Sequence, residues 1–332
     1  MKKYTALISL ILLTFLLTAC ASEQVNQEGD SSSGDDQLLK IHTTVYPLKY
    51  FTEQIAGEAA EVDSILPPGS DPHTYEPTTK EMVKMAEADA FIYSGAGLEG
   101  YAETISEAIK PEGVEILEAS HGLQLEEHAH GHSGEEHADE EEHHIEAKEE
   151  DHEGHNHGEQ DPHIWLDPIR SVQLAENIKD QLIELEPEKK DQFNENFKQL
   201  KKKLETLDKE FHKQLESKPK NKIIVSHAAY GYWEQAYGIE QVAISGISAT
   251  SEPSQRELEE IIKKAEEYKI SHVLFEQNVT PKVSKVVQKE IDAEALRVHN
   301  LSVLTKEDIK NEEDYFTLMR QNLDVLSEAL SE

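Results

Sequence analysis

Asp161-Pro162-His163-Ile164-Trp165-Leu166-Asp167-Pro168 sets one histidine between two prolines. Asp167 can cap a helix, and Pro168 suits its first position, where a missing N–H goes unpaired anyway. His163 is therefore expected on a stiff loop at the mouth of a helix, with little freedom to lose on binding a ligand. A related phrase, Asp71-Pro72-His73-Thr74-Tyr75-Glu76-Pro77, occurs earlier. Either loop alone reads equally well as an Asx-Pro turn carrying a surface histidine. The pair together points to two edges of one metal site.

Outward from this stretch the chain alternates. Before it, strands are expected at Leu38–Thr44, Val62–Leu66, Ala90–Ser94 and Val114–Leu117, with helices at Pro47–Ile55, from the Thr78 cap to Ala88, and at Leu98–Ile109. After it come a helix at Pro168–Leu185, a break at Pro187 and a long helix at Glu188–Ser217. On the latter, Phe193, Phe197, Leu200, Leu204, Leu207, Phe211 and Leu215 keep a three-or-four spacing, an apolar stripe on a charged helix. Roughly 30 helical residues reach about 45 Å, enough for a strut between two lobes. An extended heptad repeat is lacking, so a monomer is expected rather than a coiled-coil dimer. Strands at Lys222–Ser226, Gln241–Ser245, Ser271–Phe275 and Leu296–Leu301 then alternate with helices at Ala229–Tyr237, Ser254–Tyr268, Lys282–Glu290 and Asp314–Leu330. This order predicts an α/β fold. It has two lobes, each a parallel sheet with flanking helices and its own core, joined by a long rigid helix.

The expected division is a signal peptide at 1–19, a lipidated cysteine and tether at 20–37, an N-terminal lobe at 38–187, the linking helix at 188–217 and a C-terminal lobe at 218–332. Lys2-Lys3, an apolar run from Ala6 to Leu17 and small residues at the cut make a secretory signal, too short for a span. Leu17-Thr18-Ala19-Cys20 resembles a bacterial lipobox, which implies lipid on Cys20, anchoring an exported protein to the outer face of the cytoplasmic membrane. Cys20 is the sole cysteine, so no intramolecular disulfide and no thiolate metal site can form. A formal charge of -35 speaks against nucleic acid and anionic lipid surfaces.

Residues 121–160, inside the first lobe, are rich in His, Glu and Asp and almost free of apolar side chains. Such a loop is expected to remain disordered. His128, His130, His132, His137, His143, His144, His152, His155 and His157 are interleaved with acidic runs. An acidic solvated loop explains the charge but not so many imidazoles, so an auxiliary metal-binding tract is expected; pH sensing is a further option. His227, at the end of a predicted strand, lies where open α/β sheets bind ligands. His42, His212 and His272 have no such placement and read as structural or surface residues. Three imidazoles favour Zn²⁺ over Mn²⁺. Imidazole binds metal only when neutral, so affinity is expected to fall as pH drops through about 6.5.

The two Asp-Pro-His phrases, the His-rich loop, Ser226-His227-Ala228-Ala229-Tyr230-Gly231-Tyr232 and Gly246-Ile247-Ser248-Ala249-Thr250-Ser251-Glu252-Pro253-Ser254 occur in one order. That order resembles the zinc-specific solute-binding lipoproteins of bacterial metal ABC transporters, over essentially the whole mature chain. The resemblance implies two α/β lobes with the metal in the interlobe cleft, and capture of Zn²⁺ outside the cytoplasm for a membrane permease and its ATPase subunit. It also implies His73, His163 and His227 as ligands; manganese-binding relatives tend to have Glu at the position of His227. One segment departs. Where the family often supplies an acidic fourth ligand, this chain reads Asn300-Leu301-Ser302-Val303-Leu304-Thr305. Water, Glu276 or His299 is then expected to complete the site. The rival readings are a surface zinc buffer or adhesin without delivery, and Mn²⁺ as the transported ion. An enzyme is not expected: the nearest approach to His-Glu-x-x-His is His152-Glu153-Gly154-His155, one residue short, and no nucleophile elbow or phosphate loop is present.

Overall fold

The computed structural model describes residues 38–126, 160–278 and 282–331. The signal, Cys20 and the tether fall outside these residues, as do all nine histidines expected to form the auxiliary tract. No helix among the described residues is long and apolar enough to cross a membrane.

The first sheet contains β1 (Leu39–Thr43), β2 (Ala60–Ser64), β3 (Ala90–Tyr93) and β4 (Glu115–Glu118), all parallel, in the order β2-β1-β3-β4. Helices α1 (Tyr46–Ala56), α2 (Thr79–Ala86) and α3 (Ala102–Ile109) connect its strands. The second sheet repeats that plan with β5 (Lys222–His227), β6 (Glu240–Ser245), β7 (His272–Glu276) and β8 (Glu294–Val298), in the order β6-β5-β7-β8. Its connections are α6 (Gly231–Tyr237), α7 (Gln255–Glu267) and α8 (Lys282–Glu290). In each sheet the winding reverses between the two central strands, β1 and β3 or β5 and β7. Ligands of open α/β sheets bind outside the carboxyl ends of the strands at such a reversal.

Between the sheets run α4 (Pro168–Leu185) and the long α5 (Lys190–Leu215), separated by a 3-10 turn at Pro187–Lys189. Asp167 caps α4 by accepting hydrogen bonds from the N–H groups of Ile169 and Arg170. On α5 all seven residues of the predicted apolar stripe are buried. Thr78 and Ser254 cap α2 and α7 in reciprocal boxes with Glu81 and Glu257. Strand limits shift from expectation by one or two residues, within the scatter of element ends, except at β8, which ends at Val298, three residues before the expected Leu301.

Two findings correct the sequence reading. Separate cores were expected, yet one continuous apolar core runs from Ile41 and Phe91 of the first sheet, through Trp165, Leu174 and Phe211, to Val225 and Leu274 of the second. The C-terminal helix α10 (Tyr315–Ala329) belongs to that core and returns to the first lobe. The Tyr315 ring packs edge-on against Phe51 of α1 at 5.0 Å. A smaller cluster, including Ile224, Val242 and Phe275, covers the other face of the second sheet. The second correction is a short helix, α9 (Lys306–Lys310), which the sequence reading left out. Thr305 and Asp308 cap it reciprocally, so its signal was present as Thr-x-x-Asp.

Candidate metal centre

His227 is the last residue of β5 and Glu276 the last of β7, so they face each other across the reversal point of the second sheet. The loop after β2 brings His73 to the same place, and the stretch before α4 brings His163. The Nε2 atoms of His73 and His163 lie 3.2 Å apart, and those of His227 and His163 3.5 Å apart. Nitrogens about 2.0–2.1 Å from one tetrahedral zinc stand about 3.3–3.4 Å from each other, so the spacing fits a single ion. His163 and His227 are 1% and 2% exposed, whereas His73 is half-buried at the rim. Among the described residues, no other set of three potential ligating side chains comes together.

The aspartates of both Asp-Pro-His phrases shape the turns that present these rings. Oδ1 of Asp71 accepts the His73 backbone N–H at 3.0 Å, and Oδ1 of Asp161 accepts that of His163 at 2.9 Å. Proline in the middle restricts the turn further. Asp161 Oδ1 also lies 2.8 Å from His163 Nδ1. A proton held there on Nδ1 leaves the Nε2 lone pair directed at the cluster. Glu276 does the same for His227, with its Oε1 against Nδ1. Imidazoles that bind metal commonly carry a carboxylate on the other nitrogen, which fixes the tautomer and raises basicity. Gly231 makes room for Asp161: a Cβ there would stand 2.6 Å from Asp161 Oδ2.

Charge follows burial. Desolvation and the neighbouring His163 push the pKa of His73 down to about 3, so its ring is neutral at ordinary pH. Burial also opposes charge on His227, but the Glu276 carboxylate, aided by Asp71 and Asp161, outweighs it and raises the pKa. The site is thus three imidazoles backed by acid, with an attraction for cations.

The other candidates lie elsewhere. Glu276 touches the far side of the His227 ring rather than the cluster, and is fully buried. Asn300 Nδ2 donates to its Oε2 at 2.8 Å. His299 Nδ1 accepts the Leu301 N–H at 2.9 Å, and its Nε2 is 3.1 Å from Asp308 Oδ2. Both of its nitrogens are therefore engaged. Ser302 Oγ donates to Asn300 Oδ1. Among the described residues no fourth His, Cys, Asp or Glu joins the three histidines. Sequence reasoning missed Asn300 and the orienting role of both carboxylates.

The His299–Asp308 pair makes a testable separation. Burial opposes charge on the Asp308 carboxyl, but hydrogen bonds from His299 and Thr305 outweigh it and hold the pKa at about 2. Its stabilising contribution is complete above the unfolded carboxylate range near about 3.9 and is lost as pH falls through about 2. Asp308→Asn is expected to cost about 1 kcal/mol through the weakened α9 cap. Denaturant unfolding at pH 7 would read that cost, while zinc affinity should stay at the wild-type value. A fall in affinity would instead tie His299 to the site.

Comparison with known proteins agrees with this architecture. The family described as zinc-uptake complex component A, periplasmic (ZnuA), matches residues 41–329. The zinc-binding protein AdcA of Streptococcus pyogenes is 34% identical over 98% of the chain, which spans 61% of the length of that relative. The high-affinity zinc uptake system protein ZnuA of Bacillus subtilis is 31% identical over 99% of this chain and 98% of its own. The crystal structure of the Zn(II)-bound ZnuA-like domain of Streptococcus pneumoniae AdcA superposes with a TM-score of 0.71 at 31% identity, covering 89% of this chain and all of that one. With a matching family profile, a relative aligned from end to end, and two parallel-sheet lobes around three converging histidines, the chain belongs to the ZnuA family.

Proposed function

We propose that this protein captures Zn²⁺ outside the cytoplasm and delivers it to a membrane permease for import, the permease being driven by an ATPase subunit. The carrying observation is the convergence of His73, His163 and His227 at 3.2 and 3.5 Å, at the reversal point of a sheet. Three imidazoles suit zinc better than manganese, which prefers oxygen donors. Water or an exchangeable anion fills the fourth position. The family of this chain and the zinc-binding names of its relatives support the same cargo. Cys20 carries the lipid that keeps the protein at the membrane surface.

Calorimetric titration with Zn²⁺ and Mn²⁺ tests the reading. One tight site for Zn²⁺, and a much weaker response to Mn²⁺, is the expected result. Weak equivalent sites alone would leave only the storage reading.

The His-rich tract is proposed as an auxiliary store that raises the local metal concentration. Its two ends meet: Asp161 N–H donates to Glu126 O at 3.0 Å, and Arg170 reaches both Gln124 O and the Glu126 carboxylate. Excising residues 127–159 and joining the ends should therefore leave His163 in place. Stoichiometry should fall while one tight site persists, as calorimetry of the excised chain would read. Loss of the tight site would refute this division of labour.

A further inference from the structure

The supports of all three histidines meet on one short segment, Asn300–Leu304, just after β8. Asn300 Nδ2 donates to Glu276 Oε2 at 2.8 Å, and the other oxygen of Glu276 faces His227. Asn300 O accepts the Trp165 Nε1–H at 2.7 Å, and the Trp165 ring stands edge-on to His163 at 5.6 Å. Leu304 O accepts the Gly69 N–H at 3.1 Å, at the entry to the turn that carries His73. Ser302 O accepts the Tyr46 N–H at 2.8 Å, at the start of α1. A segment from the second half of the chain thus holds both lobes.

The segment is itself tightly fixed. Asn300 Oδ1 accepts from Ser302 N–H, Ser302 Oγ and Gln277 Nε2 at 3.1, 2.8 and 3.0 Å. Gln277 Oε1 returns the contact by accepting the Asn300 N–H at 3.1 Å. Leu301 lies in the left-handed region, with φ of 59°. A leucine stays there only where its surroundings impose it. Asn300, Leu301, Ser302 and Val303 are all buried. Every polar group of Asn300 is used, and its amide donor is spent on a carboxylate that sets the direction of a candidate ligand.

We propose that Asn300 is a positioning residue for zinc capture. It holds Glu276 against His227 and Trp165 against His163, so that imidazoles from different parts of the chain keep the spacing one ion requires. Without its amide donor, Glu276 can rotate off Nδ1, and the His227 ring then loses both its tautomer and its direction. This inference rests on the zinc reading above.

Asn300→Asp keeps the shape and an acceptor oxygen but replaces the donor with a second carboxylate oxygen; Asn300→Ala removes both. Full-length wild type and variants would be compared by zinc competition against a chelator, by the visible spectrum of the cobalt(II)-loaded protein, and by thermal unfolding without metal. Both variants are expected to bind zinc about 10–100-fold more weakly, the usual effect of losing an outer partner. Their cobalt bands should shift, and the metal-free unfolding midpoint of both should fall, because Asn300→Asp sets a second buried carboxylate against Glu276 and Asn300→Ala leaves Glu276 without its amide donor. If Asn300→Ala does not unfold cooperatively, Asn300→Asp alone decides. Wild-type affinity with an unchanged cobalt spectrum overturns the inference. So does weaker binding that follows lost stability with no spectral change, since that is a general loosening. A wild-type protein without a tight zinc site overturns the functional reading as well, so the two failures are distinguishable.

Discussion

Replacing His227 with alanine should reduce zinc affinity by more than 100-fold and also destabilise the metal-free protein. Zinc sites of about four ligands contribute on the order of 10–16 kcal/mol, so one imidazole is worth roughly 3 kcal/mol. The second effect comes from Glu276. It is fully buried and lies against His227 Nδ1, so the alanine variant leaves its carboxylate with Asn300 and Tyr230 as its hydrogen-bond donors among the described residues. Stranding a buried charge typically costs about 3–5 kcal/mol, and the remaining donors place this case at the lower end. His73→Ala provides the contrast. Its ring is at the rim and already neutral, so metal binding should fall comparably with little loss of metal-free stability. Calorimetry with zinc, and thermal unfolding with and without it, would check both variants. Wild-type zinc affinity in either variant would remove that histidine from the site.

The difference between these two histidines was not legible in the sequence, although both were named there. Local signals did work at short range. Asp167-Pro168 gave the start of α4, and the apolar stripe of α5 gave its buried face residue by residue. The Asp-Pro-His repeats located two of the three imidazoles, because an Asx turn is a property of neighbouring residues. Pairings across the chain left no such trace. Glu276 reaches His227 only because β7 lies beside β5, and Asn300 reaches Trp165 over a separation of 135 residues. The shared core was hidden for the same reason: nothing local announces that α10 folds back on α1. Sequence periodicity reports which face of an element is buried, but not which element covers it.

Trp165→Ala should produce the largest loss of stability at the centre of the molecule, together with loss of zinc binding. The side chain is fully buried in the continuous core. Its Nε1–H satisfies the buried Asn300 carbonyl, and its own carbonyl accepts from the Tyr315 hydroxyl at 2.7 Å. Truncating a buried aromatic costs about 3–5 kcal/mol, and stranding the Asn300 carbonyl adds about 1–3. Against a total stability of about 5–15 kcal/mol, this is a large share. The thermal midpoint should fall by roughly 10 °C or more. A core defect alone would leave the site intact in the molecules that remain folded, and Phe193→Ala supplies that case. Phe193 is equally buried, on α5, and among the described residues no aromatic ring contact joins it to the three histidines. Both variants should lose several kcal/mol in denaturant titrations, but only Trp165→Ala should also lose zinc affinity at low temperature, where both are folded. Equal affinity in the two would mean that His163 is held by its Asp161 turn alone. The Trp165 ring would then serve the core and not the metal.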